Sequence, residues 1–381
     1  MKKMLRNNKK SPPNGGLKDT EELESYAKKC IKNALLNDLG SAGEIEVKID
    51  APQQLLLITP VEPCQFSVDF NLYNQLYDLL SVVLYPILTL RKTSMQLVET
   101  DSKQLNTMRA LAFPYIEGTV KRIVTTREQL LQMRNENEIP ITQGLAWDYR
   151  KYSHAIICGM TGSGKSYYLG TLLEQLNDID DSTIIIVDPK ISDAARWAKS
   201  KSNVKLIVPD IDQNNGISNS FLENINDNLT KVEETMYKRQ SELFLNSKSI
   251  STTYQGKPIF VFIDELASLS AKDISKPLVN EFWAHLSRIC LLGREANINL
   301  IVSLQKPLNT YIDTALREQF SLKMTLGPST LSTLNLLFDD LDSMPFVPNL
   351  NQKGVGIVSI GGSNVQPVET PTIIESENKY D

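Results

Sequence analysis

The chain has 381 residues, enough for two or three domains of ordinary size. Hydrophobic residues at 41% and charged residues at 22% allow a sizeable core and exclude a collagen-like, fibrous or wholly disordered chain. With 40 Lys and Arg against 45 Asp and Glu, the net charge is −5, so any grip on nucleic acid has to come from local basic patches.

Residues 1–18 carry Lys2, Lys3, Arg6, Lys9, Lys10 and Lys18 and no acid, around Ser11-Pro12-Pro13-Asn14-Gly15-Gly16. This composition predicts a disordered basic tail, read either as a solvated terminus or as a grip on phosphate. Asp19 with Glu22 three residues on makes a capping box, and Leu23, Tyr26, Ala27, Cys30, Ile31 and Ala34 keep helical spacing behind it. Short strands follow at Glu44–Asp50, Leu55–Ile58 and Gly118–Thr125, with Phe70–Leu90 reading mainly as helix. Residues 19–139 are therefore expected to form an α+β accessory domain, with Asn135–Pro140 as the linker out of it.

From 140 to 365 the rhythm changes. The β-rich runs His154–Cys158, Thr183–Val187, Ile259–Ile263, Leu300–Leu304 and Leu322–Leu326 alternate with helical stretches, among them Phe221–Leu243 and a second from Pro277 to Gly293. That alternation predicts an α/β fold, a parallel sheet between helices. Residues 366–381 are expected to form a flexible tail. The four cysteines (Cys30, Cys64, Cys158, Cys290) form no CxxC pair, and no signal peptide opens the chain, so reduced thiols in the cytoplasm are expected. The two histidines, His154 and His285, read as structural and argue against a zinc site or a Ser-His-Asp triad. The most apolar run, Leu79–Leu90, is interrupted by Pro86 and falls short of the roughly 20 residues a spanning helix needs.

The strongest chemical signal is Gly159-Met160-Thr161-Gly162-Ser163-Gly164-Lys165-Ser166, a full match to G-x-x-x-x-G-K-[ST]. By average residue usage the pattern arises by chance in roughly one of eighty chains of this length. Here it also has the required setting, after an apolar strand and before the helical stretch that opens at Tyr167. Backbone N–H groups and a helix dipole converge there on an anion, while glycines permit close approach. The residues from Gly159 to Tyr167 are thus expected to hold the phosphates of ATP, with Lys165 on the terminal phosphates and the Ser166 hydroxyl on Mg²⁺. A second run, Ile259–Ile263, ends in Asp264-Glu265, two carboxylates at the C-terminal end of a strand. Asp264 is expected to hold the Mg²⁺ through its water shell, and Glu265 to activate the attacking water. Gln305, after Leu300–Leu304, reads either as a sensor of the γ-phosphate or as a loop cap. Asp188-Pro189-Lys190 reads equally as a pocket wall or as a plain strand-terminating turn. Among Arg288, Arg294 and Arg317, Arg294 is the candidate for an arginine offered to a neighbouring subunit's nucleotide, against a helix-terminal arginine favoured by the dipole.

Taken in order, these residues resemble the FtsK/SpoIIIE family of ring-forming DNA-pumping ATPases. The matching pieces are His154–Ser166, Ile186-Val-Asp-Pro-Lys190, Phe262-Ile-Asp-Glu-Leu-Ala267, Gly293–Leu300 and Ser303-Leu-Gln-Lys-Pro307, with Glu233–Arg239 like the family's helix ahead of the Asp-Glu strand. The likeness spans residues 140–340. The family's Gln-Arg-Pro is Gln305-Lys306-Pro307 here and its Ile-His is Ile298-Asn299. The resemblance implies a RecA-like P-loop NTPase motor that hydrolyses ATP with Mg²⁺ and moves double-stranded DNA as a homo-hexamer. Neither the family's membrane region nor a winged helix after the core is expected from this sequence. That shortness resembles the motors of conjugative elements and plasmids, and it implies a cytoplasmic protein recruited to the membrane by a partner. Two alternatives stay open: a conjugative coupling protein moving relaxase-bound single-stranded DNA to a transfer channel, and a type VII-like protein-secretion ATPase.

Overall fold

The computed structural model describes residues 20–39, 44–61, 68–210, 217–246, 253–270, 275–308, 312–338, 341–362 and 364–374. The expected tail of residues 1–18 and the Asp19 cap lie outside them. Two compact units divide the chain, Met1–Leu90 with Ser94–Thr119, and Arg91–Thr93 with Val120–Asp381.

The first unit contains α1 (Thr20–Leu39), β1 (Ile45–Asp50), β2 (Leu55–Pro60), α2 (Phe70–Val83), β3 (Leu88–Leu90), β4 (Leu97–Glu99) and β5 (Arg109–Glu117). Its strands pair antiparallel in the order β1-β2-β5-β3, with β4 also on β5. Leu23, Ala27, Ile31 and Leu35 form one buried stripe of α1 and share a core with the inward residues Ile45, Val47 and Ile49 of β1. The Asp69 carboxylate caps α2 by accepting from the Leu72 N–H at 3.0 Å. The helix expected over Phe70–Leu90 stops at Val83, because Pro86 cannot continue it, and residues 88–90 join the sheet instead.

The second unit opens earlier than the sequence suggests. β6 (Val124–Thr125), α3 (Arg127–Gln132), β7 (Glu138–Thr142) and β8 (Leu145–Asp148) belong to it, and β7 and β8 form a hairpin. The stretch Asn135–Pro140 is therefore no linker: Ile139 and Ile141 are buried with Trp147 in the core. Then follow β9 (Ala155–Gly159), α4 (Lys165–Asn177), β10 (Thr183–Val187), α5 (Asp193–Ala198), β11 (Val204–Ile207), α6 (Asn219–Asn246) and β12 (Ile259–Ile263). After a 3-10 turn at Leu266–Ser270 come α7 (Lys276–Leu292), β13 (Ile298–Leu304), α8 (Thr314–Glu318), β14 (Leu322–Leu326), α9 (Leu331–Phe338), β15 (Val355–Ile360), β16 (Gln366–Glu369) and β17 (Thr372–Ile373).

Eight strands form one sheet in the order β11-β10-β12-β13-β9-β14-β15-β16, parallel from β11 to β14 and antiparallel beyond. Period-two alternation feeds a core on each face. Ile185, Val187, Val261 and Ile263 meet α6 and α7, whereas Ile184, Ile186, Phe260 and Phe262 meet the α4 side. β16 and β17 correct the expected tail from residue 366: Gln366–Val368 pair with β15 and Thr372–Ile373 with β6. Pro367 sits on an edge strand, where its missing N–H breaks no ladder. Residues 375–381 lie outside the described part.

Candidate active site

Parallel strands point all their C-terminal ends, and the helix N-termini that follow, at one sheet edge. Gly159 closes β9, and the chain turns through Met160–Gly164 into α4. Gly162 and Gly164 hold φ of +86° and +93°, values that L side chains rarely adopt. A Cβ on Gly164 would also lie 2.5 Å from the Gly354 nitrogen, which donates to the Ser163 carbonyl at 2.7 Å. No side chain caps α4, so its first N–H groups are open to an anion.

β13 lies between β9 and β12, which puts the Asp264 strand about 10 Å from the loop strand. That gap has room for a terminal phosphate and a water. Ser303, buried on β13, bridges it: Lys165 Nζ donates to Ser303 Oγ at 2.9 Å, and Ser303 Oγ donates to Asp264 Oδ1 at 2.6 Å. Asp264 Oδ2 accepts from Ser192 Oγ at 2.9 Å. Glu265, at φ +48°, pairs with Lys190 at 3.2 Å. Residues 159–162 and 164–167, with Asp264, Glu265 and Gln305, line one cavity of about 630 Å³, whereas Ser163, expected among the phosphate ligands, is buried beneath the loop and is not part of the cavity wall. The Ser166 hydroxyl with the Asp264 carboxylate makes a pair of hard oxygen donors suited to Mg²⁺.

The 188–192 turn does both things the sequence left open. Buried Asp188 ends β10 by accepting from the N–H groups of Lys190, Ser192 and Ala195, while Lys190 and Ser192 reach into the cavity. Ser303 and Ser192 were not singled out by their sequence setting, nor was the opposite lip of Arg122, Lys353, Gly354, Thr370 and Thr372. Arg122 donates to Thr372 Oγ1 at 3.0 Å and to the Lys353 carbonyl at 2.6 Å. Only the turn Lys353-Gly354 before the apolar run Val355–Ile360 hints at this lip in the sequence.

Arg294 is exposed, in the turn entering the N-terminal end of β13, about 20 Å along the strand from the cavity edge. It does not reach the nucleotide cavity of its own chain. Arg288 bonds Glu233 Oε1 at 2.8 Å, and buried Arg317 donates to the Pro307 carbonyl at 3.3 Å. His154 is fully buried between the Cys290 carbonyl and the Leu300 N–H, which fix its neutral tautomer, and burial lowers its pKa to about 4. His285 Nδ1 lies 2.8 Å from Glu233 on the α6–α7 seam. Both histidines are thus structural.

Residues 148–210 match the family model of the HerA helicase central domain. The FtsK domain-containing protein YdcQ of Bacillus subtilis is 25% identical over 239 residues, covering 62% of this chain and 46% of that protein. Protein Tra of Streptomyces lividans is 25% identical over 228 residues, 56% of this chain and 34% of that one. The DNA translocase FtsK of Helicobacter pylori is 28% identical over 167 residues, 42% and 19%. The chain therefore spans less than half the length of these relatives. A solved structure of the pCW3 conjugation coupling protein TcpA, in monomer form with ATPγS, shares the fold at a TM-score of 0.55 and 16% identity, covering 90% of this chain and 94% of that one. Phosphate loop, strand-end acids and sheet order agree with these likenesses: the second unit has the P-loop NTPase fold and is similar in sequence to the HerA central domain and to FtsK proteins.

Proposed function

We propose that the chain is an ATP-driven motor that moves double-stranded DNA through a ring of identical subunits, a hexamer, in the transfer or maintenance of a conjugative element or plasmid. The observation that carries this reading is the bridge Lys165–Ser303–Asp264 beside Glu265 in one cavity. The phosphates of ATP lie over the N-terminus of α4, with Lys165 on the terminal group. Ser166 and Asp264 hold Mg²⁺, which neutralises charge on the phosphates when bound. Glu265 accepts a proton from the water that attacks the terminal phosphorus, and the bond to the bridging oxygen breaks to release ADP and phosphate. Gln305 touches that water or phosphate, and Arg294 serves the nucleotide of a neighbouring subunit.

The DNA substrate is supported by the names of the relatives, a DNA translocase and a Tra protein. No helix among the described residues is long and apolar enough to cross a membrane. Under this reading a partner such as a transfer channel recruits the chain to the membrane. The fold shared with a conjugation coupling protein favours a second reading, delivery of relaxase-bound single strands. ATPase rates at low salt, without DNA, with duplex and with single strands, separate the two. Duplex stimulation that fades with salt is expected, because grip on phosphates releases counterions. Preference for single strands would install the second reading, and indifference to both would contradict the motor.

A further inference from the structure

We propose that the 188–192 turn is a positioning element for hydrolysis, in which Lys190 sets the Glu265 carboxylate toward the attacking water through their ion pair. This rests on the reading of Glu265 as the base.

The turn is built to be stiff. Asp188 is wholly buried, and its two oxygens accept from the N–H groups of Lys190 at 3.0 Å, Ser192 at 2.8 Å and Ala195 at 3.1 Å. Ile191 between them holds φ +52°, a left-handed conformation that a β-branched residue adopts only when its surroundings impose it. Glu265 faces the turn at φ +48°, so both sides of the ion pair stand on constrained backbone. The Ser192 hydroxyl lies 2.7 Å from Asp188 Oδ2 and 2.9 Å from Asp264 Oδ2. It has one proton for two carboxylates, and Asp188 already has backbone donors, so the turn ties itself to Asp264 as well. One turn thus grips both strand-end acids.

Glu265 is buried, and a buried carboxylate needs a compensating donor or charge. Among the described residues, Lys190 is the cation in ion-pair range of it, at 3.2 Å, with its own side chain half exposed. Its flexible stem lets the ammonium follow the carboxylate as a nucleotide enters the shared cavity. An alternative for the same ammonium is a direct bond to phosphate, and kinetics distinguish the two.

The experiment compares Lys190→Ala, Lys190→Arg and Glu265→Gln with the double variant Lys190→Ala/Glu265→Gln, measuring kcat, KM and equilibrium binding of a fluorescent ATP analogue. Lys190→Ala is expected to lower kcat about tenfold or more while the analogue binds as before, since base catalysis and not binding is impaired. Lys190→Arg should restore most of the rate. In the Glu265→Gln background, Lys190→Ala should add no further loss of residual single-turnover rate, because the two residues act as a unit. A wild-type kcat for Lys190→Ala would overturn the proposal. So would weakened binding at unchanged kcat, which would make Lys190 a phosphate ligand, or an additive loss in the double variant. Normal turnover by Glu265→Gln alone would instead overturn the base reading, and the positioning role with it.

Discussion

The two units solve the same packing problem with opposite consequences for chemistry. In the first, antiparallel strands alternate direction, so strand ends and turns spread over both edges of the sheet. Its buried Tyr73 hydroxyl closes on backbone within the unit, donating to the Ala112 carbonyl at 2.9 Å. In the second, parallel strands need helical crossovers, and these bring six strand C-termini and an uncapped helix N-terminus to one edge. Buried Asp188, Glu265 and Ser303 gather there, beside the cavity that the phosphate loop lines. The difference teaches that topology, more than composition, decides which unit carries the chemistry.

That contrast can be broken in each unit. Phe113 is fully buried and stacks on Tyr73, ring centroids 4.4 Å apart. Phe113→Ala should lower the stability of the first unit by about 3–5 kcal/mol. Hydrogen exchange should show lost protection in β5 and α2, with ATP affinity unchanged; an equal fall in ATP affinity would mean that the units do not act separately. In the second unit, burial depresses the His154 pKa from 6.5 to about 4, partly opposed by its bond to the Cys290 carbonyl. The unfolded chain takes up a proton between those values and the folded chain does not. Stability present above pH 6.5 is therefore lost as the pH falls toward 4, by about 3 kcal/mol at full effect. His154→Asn, which tolerates the φ of +61°, should be less stable at neutral pH yet lack that share of the slope in denaturant titrations at pH 7 and 4.5. An equal pH loss in both proteins would reassign it to other groups.

The site was legible where its chemistry is local. The phosphate loop, Asp264-Glu265 and Gln305 each directly follow an apolar run, so strand, turn and ligand group share a few residues. The five parallel strands that the sequence analysis names were legible for the same reason; the edge strand β11, four residues long, was not. What escaped depends on distant partners. Ser303 looks like any strand residue until Lys165 and Asp264 meet on it from 138 and 39 positions away. Arg122 gains meaning only from Lys353, 231 positions on. The unit boundary was misplaced because the hairpin β7–β8, rich in polar residues at Asn135–Glu138, hides Ile139 and Ile141 that fasten it to the core of the second unit.

The claim on which the rest depends is that Glu265 faces the terminal phosphate of an ATP held by the loop from Gly159 to Ser166. Its most direct measurement is the identity of the nucleotide retained by Glu265→Gln after incubation with ATP and Mg²⁺. Loss of a general base slows hydrolysis by about 10²–10⁴-fold, so the variant should retain ATP while the wild type yields ADP. ADP formed at the wild-type rate would contradict the account.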